Sequence, residues 1–317
     1  MVKSFLSTII ISLLLVSTAF GGGGVSVPDP LALQEYAPGT LRDTGALSLR
    51  SQTLNPAVRN LIIIAAGQSN MADVGPSGYS PTNSTVVDQL NLYDGGIYNV
   101  SGPAIGTQLI NNPAPGGTNP AIQLADNLIS AGLFDRVIVE PVAFTSSPVA
   151  VWDTGVLSNR ITAAVKRILG RGIQCGTTNV TCIALWGQGE SDCQNGTAQA
   201  AYTAALNNVI AASRRAGFTV SGGAGNGLWF VAMQSYIAGA ACSSIQAAQA
   251  AVVNHAAGIW AGPNADALAG SVCGSGANAA CRQSIDNTHF TDAGVYSYVG
   301  TGGGGWRAAL HAFGAPF

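Results

Sequence analysis

The sequence predicts an α/β fold, a central parallel sheet with helices on both faces. Three observations carry that prediction. Short, continuous apolar runs such as Leu61–Ala66 (LIIIAA) read as strands buried on both sides. Segments with apolar residues at helical spacing alternate with those runs along the chain. The 317 residues are 47% hydrophobic and only 9% charged, which supplies a large core and excludes charge-driven disorder. Length alone allows two domains, yet α/β folds of this size are often one.

The chain opens with MVKSFLSTIIISLLLVSTA, residues 1–19. Lys3 is a basic start, Phe5 to Val16 are largely apolar, and Ser17 and Ala19 are small residues before a cleavage point. This is a secretory signal pattern, and its apolar stretch is short for a span of about 20 residues. The mature chain is expected to be secreted, or periplasmic in a Gram-negative cell, without stable membrane insertion. Residues 20–59 are rich in Gly, Pro, Ser and Thr and read as a lead-in, with the folded domain over 60–317.

Leu61–Ala66 is the first strand. Pro120–Ala131 is predicted helical, with Pro120 suited to its first turn. Arg136–Phe144 is a second strand, and Gly155–Leu169 a helix carrying Val156, Ile161, Val165 and Ile168. Cys182–Trp186 is a third strand, followed by the Ala-rich helix Thr197–Ala216. Leu228–Tyr236 is a fourth strand, Ser244–Ala257 another helix, and Ala265–Ala269 a weak fifth strand. Asp292–His311 is the closing helix, although GTGGGGW within it is poor helix sequence.

Charge narrows the function. Net charge is −2, and the only lysines are Lys3 and Lys166. No dense basic patch for nucleic acid can be built, and no lysine follows a glycine as a phosphate loop requires. GGAGNG at 222–227 precedes a strand and so is no dinucleotide fingerprint. No cofactor is implied. Any histidine base must be His255, His289 or His311. Six cysteines, Cys175, Cys182, Cys193, Cys242, Cys273 and Cys281, suit up to three disulfides in an exported chain. Six cysteines allow about 15 pairings; closing the two short loops, 175–182 and 273–281, would leave Cys193 with Cys242. Zinc is the rival, but no C-x-x-C spacing occurs.

The strand ends carry the chemistry. Gly67-Gln68-Ser69-Asn70-Met71 directly follows LIIIAA. A serine there is exposed at a strand-to-helix turn, where backbone N–H groups point at bound oxygen atoms. Taken alone, such a serine is more often a helix cap. Trp186-Gly187-Gln188-Gly189-Glu190-Ser191-Asp192 ends the third strand, with two glycines presenting an amide side chain. A glutamine NH2 is a fit oxyanion donor, although a polar capping loop reads the same way. Asp286-Asn287-Thr288-His289-Phe290 places a carboxylate three residues before an imidazole. Such an Asp can fix the tautomer of the ring, or simply make a surface contact.

Together the blocks GQSNM, WGQGESD and DNTHF resemble the SGNH hydrolase superfamily, above all its sialate O-acetylesterase and carbohydrate esterase family 6 branch. The resemblance spans roughly residues 60 to 312. Gly116-Gly117-Thr118-Asn119-Pro120, Ser147–Trp152 and Ile245–Val252 agree with it. It implies a three-layer, flavodoxin-like α/β/α sandwich. It also implies Ser69 as nucleophile, His289 as general base and Asp286 as its orienting partner. The oxyanion hole would combine the Ser69 N–H, a glycine N–H near Gly117 and the Gln188 side chain. Gln68 and Asn70 would shape the first turn, and Glu190 would organise the loop behind the site. Trp152, Trp186 and Tyr79 are candidate faces for a sugar ring, with Trp186 reading at least as readily as a buried core aromatic.

The implied reaction is two-step acyl transfer that removes O-acetyl groups from carbohydrates, of the acetylxylan or sialate type, with no metal or cofactor. Three alternatives stay open at this point. They are a general lipase or thioesterase on the same fold, a carbohydrate-binding module without turnover, and a carboxylate-pair hydrolase using Glu190 with Asp192.

Overall fold

A computed structural model describes residues 44–100, 103–107, 117, 119–220, 225–268, 273, 280–300 and 305–312. Strand β1, Asn60–Gly67, is buried along its whole length. Its alternate side chains serve two cores. Ile62, Ile64 and Ala66 enter one, while Leu61, Ile63 and Ala65 enter the other. An unbroken apolar run is what a strand covered on both faces requires, because successive side chains point to opposite sides.

The other strands of the sheet are β2 (Val87–Leu90), β3 (Ile97–Asn99), β4 (Arg136–Pro141), β5 (Val180–Gly187), β6 (Leu228–Met233) and β7 (Ile259–Asn264). Their order is β3-β2-β4-β1-β5-β6-β7. All neighbours run parallel except β2 and β3. β1 pairs Asn60–Ala65 with Arg136–Pro141 on one side and Asn60–Gly67 with Val180–Gly187 on the other. The ends of β1 and β5 are thereby level, and the blocks that follow them emerge side by side.

One face of the sheet is covered by α1 (Pro120–Ser130), α7 (Asp292–Val299) and α8 (Gly305–Ala312), through Leu124, Leu128, Val295, Tyr298 and Trp306. The other face is covered by α2 (Val149–Asp153), α3 (Arg160–Gly170), α5 (Gln199–Arg215) and α6 (Ser243–Val252), through Trp152, Ile161, Val165, Leu206 and Ile245. The short α4, Glu190–Asn195, follows β5. Three layers result, as expected. Asn119 caps α1, accepting from the Ala121 and Ile122 N–H groups.

Several elements differ from the sequence reading. The helix expected at 155–169 starts later, at Arg160; residues 154–159 form a turn, with Gly155 tight against the Val151 backbone, and the separate short helix α2 precedes it. The fifth strand is β7 at 259–264, and Asp266–Leu268 is a 3-10 turn. IWAGPN hides this strand because it holds Gly and Pro; Pro263 is tolerated on an edge strand, and Gly262 lets the Trp306 ring approach. The closing helix breaks into α7 and α8, and α7 is capped by Gly300 at φ +94°. β2 and β3 are absent from the sequence reading. β2 carries two buried polar residues: Asp88 pairs with Arg50 and Arg136, and Gln89 bonds the Asn99 carbonyl and the Ile105 N–H.

Residues 48–50, within the lead-in, run antiparallel along β3 through a Leu49–Tyr98 bridge. Residues 1–43, including the segment expected to be a signal, lie outside the described residues, as do Gly116 and Thr118 of the glycine block. The disulfides are Cys175–Cys182, Cys193–Cys242 and Cys273–Cys281, the pairing in which both short loops close. All six cysteines are thereby used, and none is left as a zinc ligand. Among the described residues, no helix is long and apolar enough to cross a membrane.

Candidate active site

Ser69 begins a 3-10 turn, Ser69–Met71, directly beyond β1. Gly67 makes the approach possible. It sits at φ +134°, and a Cβ there would lie 2.0 Å from the Gly187 carbonyl oxygen. The Gln68 N–H donates to that same oxygen at 3.0 Å, and the Phe144 N–H donates to the Gly67 carbonyl at 2.9 Å. Among the described residues, neither the Ser69 hydroxyl nor its N–H has a hydrogen-bond partner.

Asp286 and His289 share one tight loop. Asn287 between them adopts φ +49°, a region Asn enters more easily than most residues. Asp286 Oδ1 accepts from the Thr288 N–H at 2.9 Å and the His289 N–H at 3.1 Å. Asp286 Oδ2 lies 2.5 Å from His289 Nδ1. Burial pushes the Asp286 carboxyl up, but the His289 ring and the two backbone N–H groups outweigh it and hold it below the usual range. His289 remains half-buried, and its Nε2 has no partner among the described residues.

Asn70 joins the two loops. Its Nδ2 donates to the Thr288 carbonyl at 3.3 Å, and its Oδ1 accepts from the Phe290 N–H at 3.0 Å. These bonds bring the turn of Ser69 beside the residue that carries the imidazole. Gly117 reaches the same turn, packed so closely that a Cβ would lie 2.2 Å from the Asp73 carbonyl oxygen. Asn119 Nδ2 donates to the Met71 carbonyl at 3.5 Å. Asp73 anchors this corner, accepting from the Thr107 hydroxyl at 2.6 Å and the Ala104 N–H at 3.1 Å.

Behind the turn lies a buried polar hub. Glu190 Oε1 accepts from Asn70 Nδ2 at 2.7 Å and Gln234 Nε2 at 2.9 Å, and burial pushes the Glu190 carboxyl up. Gln68 Oε1 accepts from Gln188 Nε2 and the Ser191 N–H, both at 3.1 Å.

Three expectations are corrected. The Gln188 NH2 is buried and directed at Gln68 Oε1, at the Ser147 carbonyl at 3.0 Å and at Asp192 Oδ2 at 2.6 Å. An amide has two hydrogens, so three acceptors leave none for an ester oxygen. Gln188 holds strand-end loops together in place of the oxyanion-donor role expected of it. Trp152 is 1% exposed, stacks edge-on against Trp186 and donates to the Ser147 hydroxyl at 2.9 Å. It and Trp186 are core residues and offer no sugar face. Tyr79 is half-buried, with its hydroxyl on Asp126 at 2.6 Å. Glu190, Asp192 and Ser69 are all buried, Ser69 at 2% exposure against the exposed position expected of it, and Asp192 Oδ2 is spent on the Val149 N–H at 2.8 Å and on Gln188.

Sequence reasoning missed Gln234, Gln249, Arg282 and Tyr298. Gln249 Nε2 donates to the Gln188 and Gln234 carbonyls, each at 2.8 Å, and Tyr298 donates to Gln234 Oε1 at 2.6 Å. Arg282 donates to the Thr288 carbonyl at 2.6 Å with its guanidinium 4.0 Å from the Phe290 ring centre. The available signal was a polar residue on an apolar face, as with Gln249 among Ile245, Ala248 and Val252.

Comparison with known proteins adds the family. The model for SASA, described as carbohydrate esterase, sialic acid-specific acetylesterase, matches residues 59–221. No curated protein matches the chain. A solved protein from Arabidopsis thaliana is 16% identical with a TM-score of 0.54, over 80% of this chain and 99% of its own, and supports the fold. A carbohydrate acetylesterase from Xanthomonas citri is 12% identical with a TM-score of 0.35, over 63% of this chain and 49% of its own. The family match holds the Ser69 turn and Glu190, and Gln234, Asp286 and His289 lie beyond it. Matched over more than half its length, the chain belongs to the SASA family of carbohydrate esterases and is a carboxylic ester hydrolase.

Proposed function

We propose that this protein is an exported serine esterase that removes O-acetyl groups from carbohydrates, with Ser69, His289 and Asp286 as its catalytic triad. The carrying observation is the Asp286–His289 contact of 2.5 Å, in a loop fastened to the turn of Ser69. Asp286 fixes the proton on His289 Nδ1, which leaves Nε2 as the base. His289 takes the Ser69 proton as the oxygen attacks the acetyl carbonyl, then gives it to the leaving sugar hydroxyl. Water, activated in turn by His289, releases acetate. The N–H groups of Ser69 and Gly117 are the proposed oxyanion donors, each worth about 3 kcal/mol. Gln188 enters as a positioning group.

A carbohydrate substrate is supported by the family match. A cleft of about 620 Å³ beside the His289 loop is lined by Ser77, Arg282, Ser284, Thr291 and Asp292, among others. Pro76, Ala280 and Ala293 complete the lining, so the cleft mixes polar and apolar surface, and the preference for a sugar over a long acyl chain rests on the family. Export is supported by the three disulfides and by the signal pattern of residues 1–19. The test is acetate release from acetylated xylan, O-acetylated sialic acid and p-nitrophenyl acetate by wild type and Ser69→Ala. Serine-dependent release from a glycan is expected. Release that survives Ser69→Ala, or a fatty-acyl ester preferred over every acetylated glycan, contradicts the reading.

A further inference from the structure

Asn70 is fully buried, yet its carboxamide is spent on one small region. Thr288 and Phe290, which it bonds, are the two chain neighbours of His289. One amide therefore grips the backbone on both sides of the imidazole-bearing residue, about as one strand grips another. Asn70 itself directly follows Ser69 in the turn.

The orientation of that amide is fixed. Reversal would set its oxygen against the Glu190 carboxyl and the Thr288 carbonyl, and its NH2 against the Phe290 N–H. Glu190 is in turn held by Gln234, and Gln234 by Tyr298. The Thr288 carbonyl is held from its other side by Arg282.

We infer that Asn70 is a positioning residue for the esterase reaction, setting the distance between the Ser69 hydroxyl and the His289 imidazole. The inference rests on the assignment of Ser69 and His289 above. A group that acts only through His289 must lose its effect once the imidazole is gone.

The test is a double-mutant cycle on p-nitrophenyl acetate hydrolysis by the full mature chain. Asn70→Ala is expected to lower kcat about 100-fold with KM changed less than about 3-fold. In a His289→Ala background the same substitution is expected to cost less than about 2-fold. Fluorophosphonate labelling of Ser69 should slow in parallel with kcat. Equal losses in both backgrounds, or a wild-type rate in Asn70→Ala, overturn the inference while the serine assignment stands. Full activity in Ser69→Ala or His289→Ala overturns both. If Asn70→Ala does not fold, Asn70→Asp takes its place in the cycle. It keeps the size and the acceptor for the Phe290 N–H but loses the NH2 donated to Thr288 and Glu190, and sets an oxygen against the Glu190 carboxyl.

Discussion

A carboxylate three residues before an imidazole meets it only if the chain between them turns tightly. Here the turn is made by Asn287 at φ +49° and by the two N–H groups that Asp286 Oδ1 collects. Asp286→Asn should preserve that loop yet favour the wrong tautomer of His289. The expected loss is about 10²–10⁴-fold in kcat, measured on p-nitrophenyl acetate. A variant within about 3-fold of wild type would show that His289 needs no carboxylate. The Asp and the His are legible in the sequence because their spacing is local. The places of Gln188 and Trp152 are not, because they depend on partners distant in sequence. Trp152 meets Trp186 from another element, and Gln188 meets Gln68 from 120 residues away.

At the scale of elements, the site depends on the close approach of the ends of β1 and β5. Gly67→Ala would put a methyl group into the Gly187 carbonyl from a backbone conformation L-residues avoid. It should cost at least about 3 kcal/mol in urea unfolding and abolish activity. The corner after Ser69 has its own signature. Burial pushes the Asp73 carboxyl up to about 7, against hydrogen bonds from Thr107, Ala104 and Asn119. A carboxyl raised above its unfolded value of about 3.9 binds its proton more tightly in the fold. Its stabilising contribution is therefore complete below about pH 4 and is lost as pH rises towards about 7. Relative to Asp73→Asn, wild type should lose urea stability across that window. A difference that stays flat would mean the carboxyl is not raised. Asp73 leaves no trace in the sequence, since its burial comes from the loop at 103–107 folding over it.

Over the whole molecule, the alternation of strands and helices is readable because apolar periodicity survives wherever an element faces a core. β1, β4, β5 and β6 stand out for that reason. β2 is hidden by Asp88 and Gln89, and β7 by the glycine and proline of IWAGPN. The disulfides fasten the second half of the chain. Cys193–Cys242 spans 49 residues and ties α4 to the start of α6, whereas Cys175–Cys182 spans 7. Loop entropy assigns about 4 kcal/mol to the long bridge and about 2 to the short one. Replacing Cys193 and Cys242 by serine should therefore lower the unfolding free energy more than replacing Cys175 and Cys182. The reverse order would place the strength of the fold elsewhere.

The central claim is that Ser69 is a nucleophile driven by His289. Its most direct measurement is the site and rate of fluorophosphonate labelling, with the adduct mapped by mass spectrometry. A single adduct on Ser69 is predicted, absent in Ser69→Ala and at least about 100-fold slower to form in His289→Ala. An adduct on any other residue, or an unchanged rate without His289, would contradict the account.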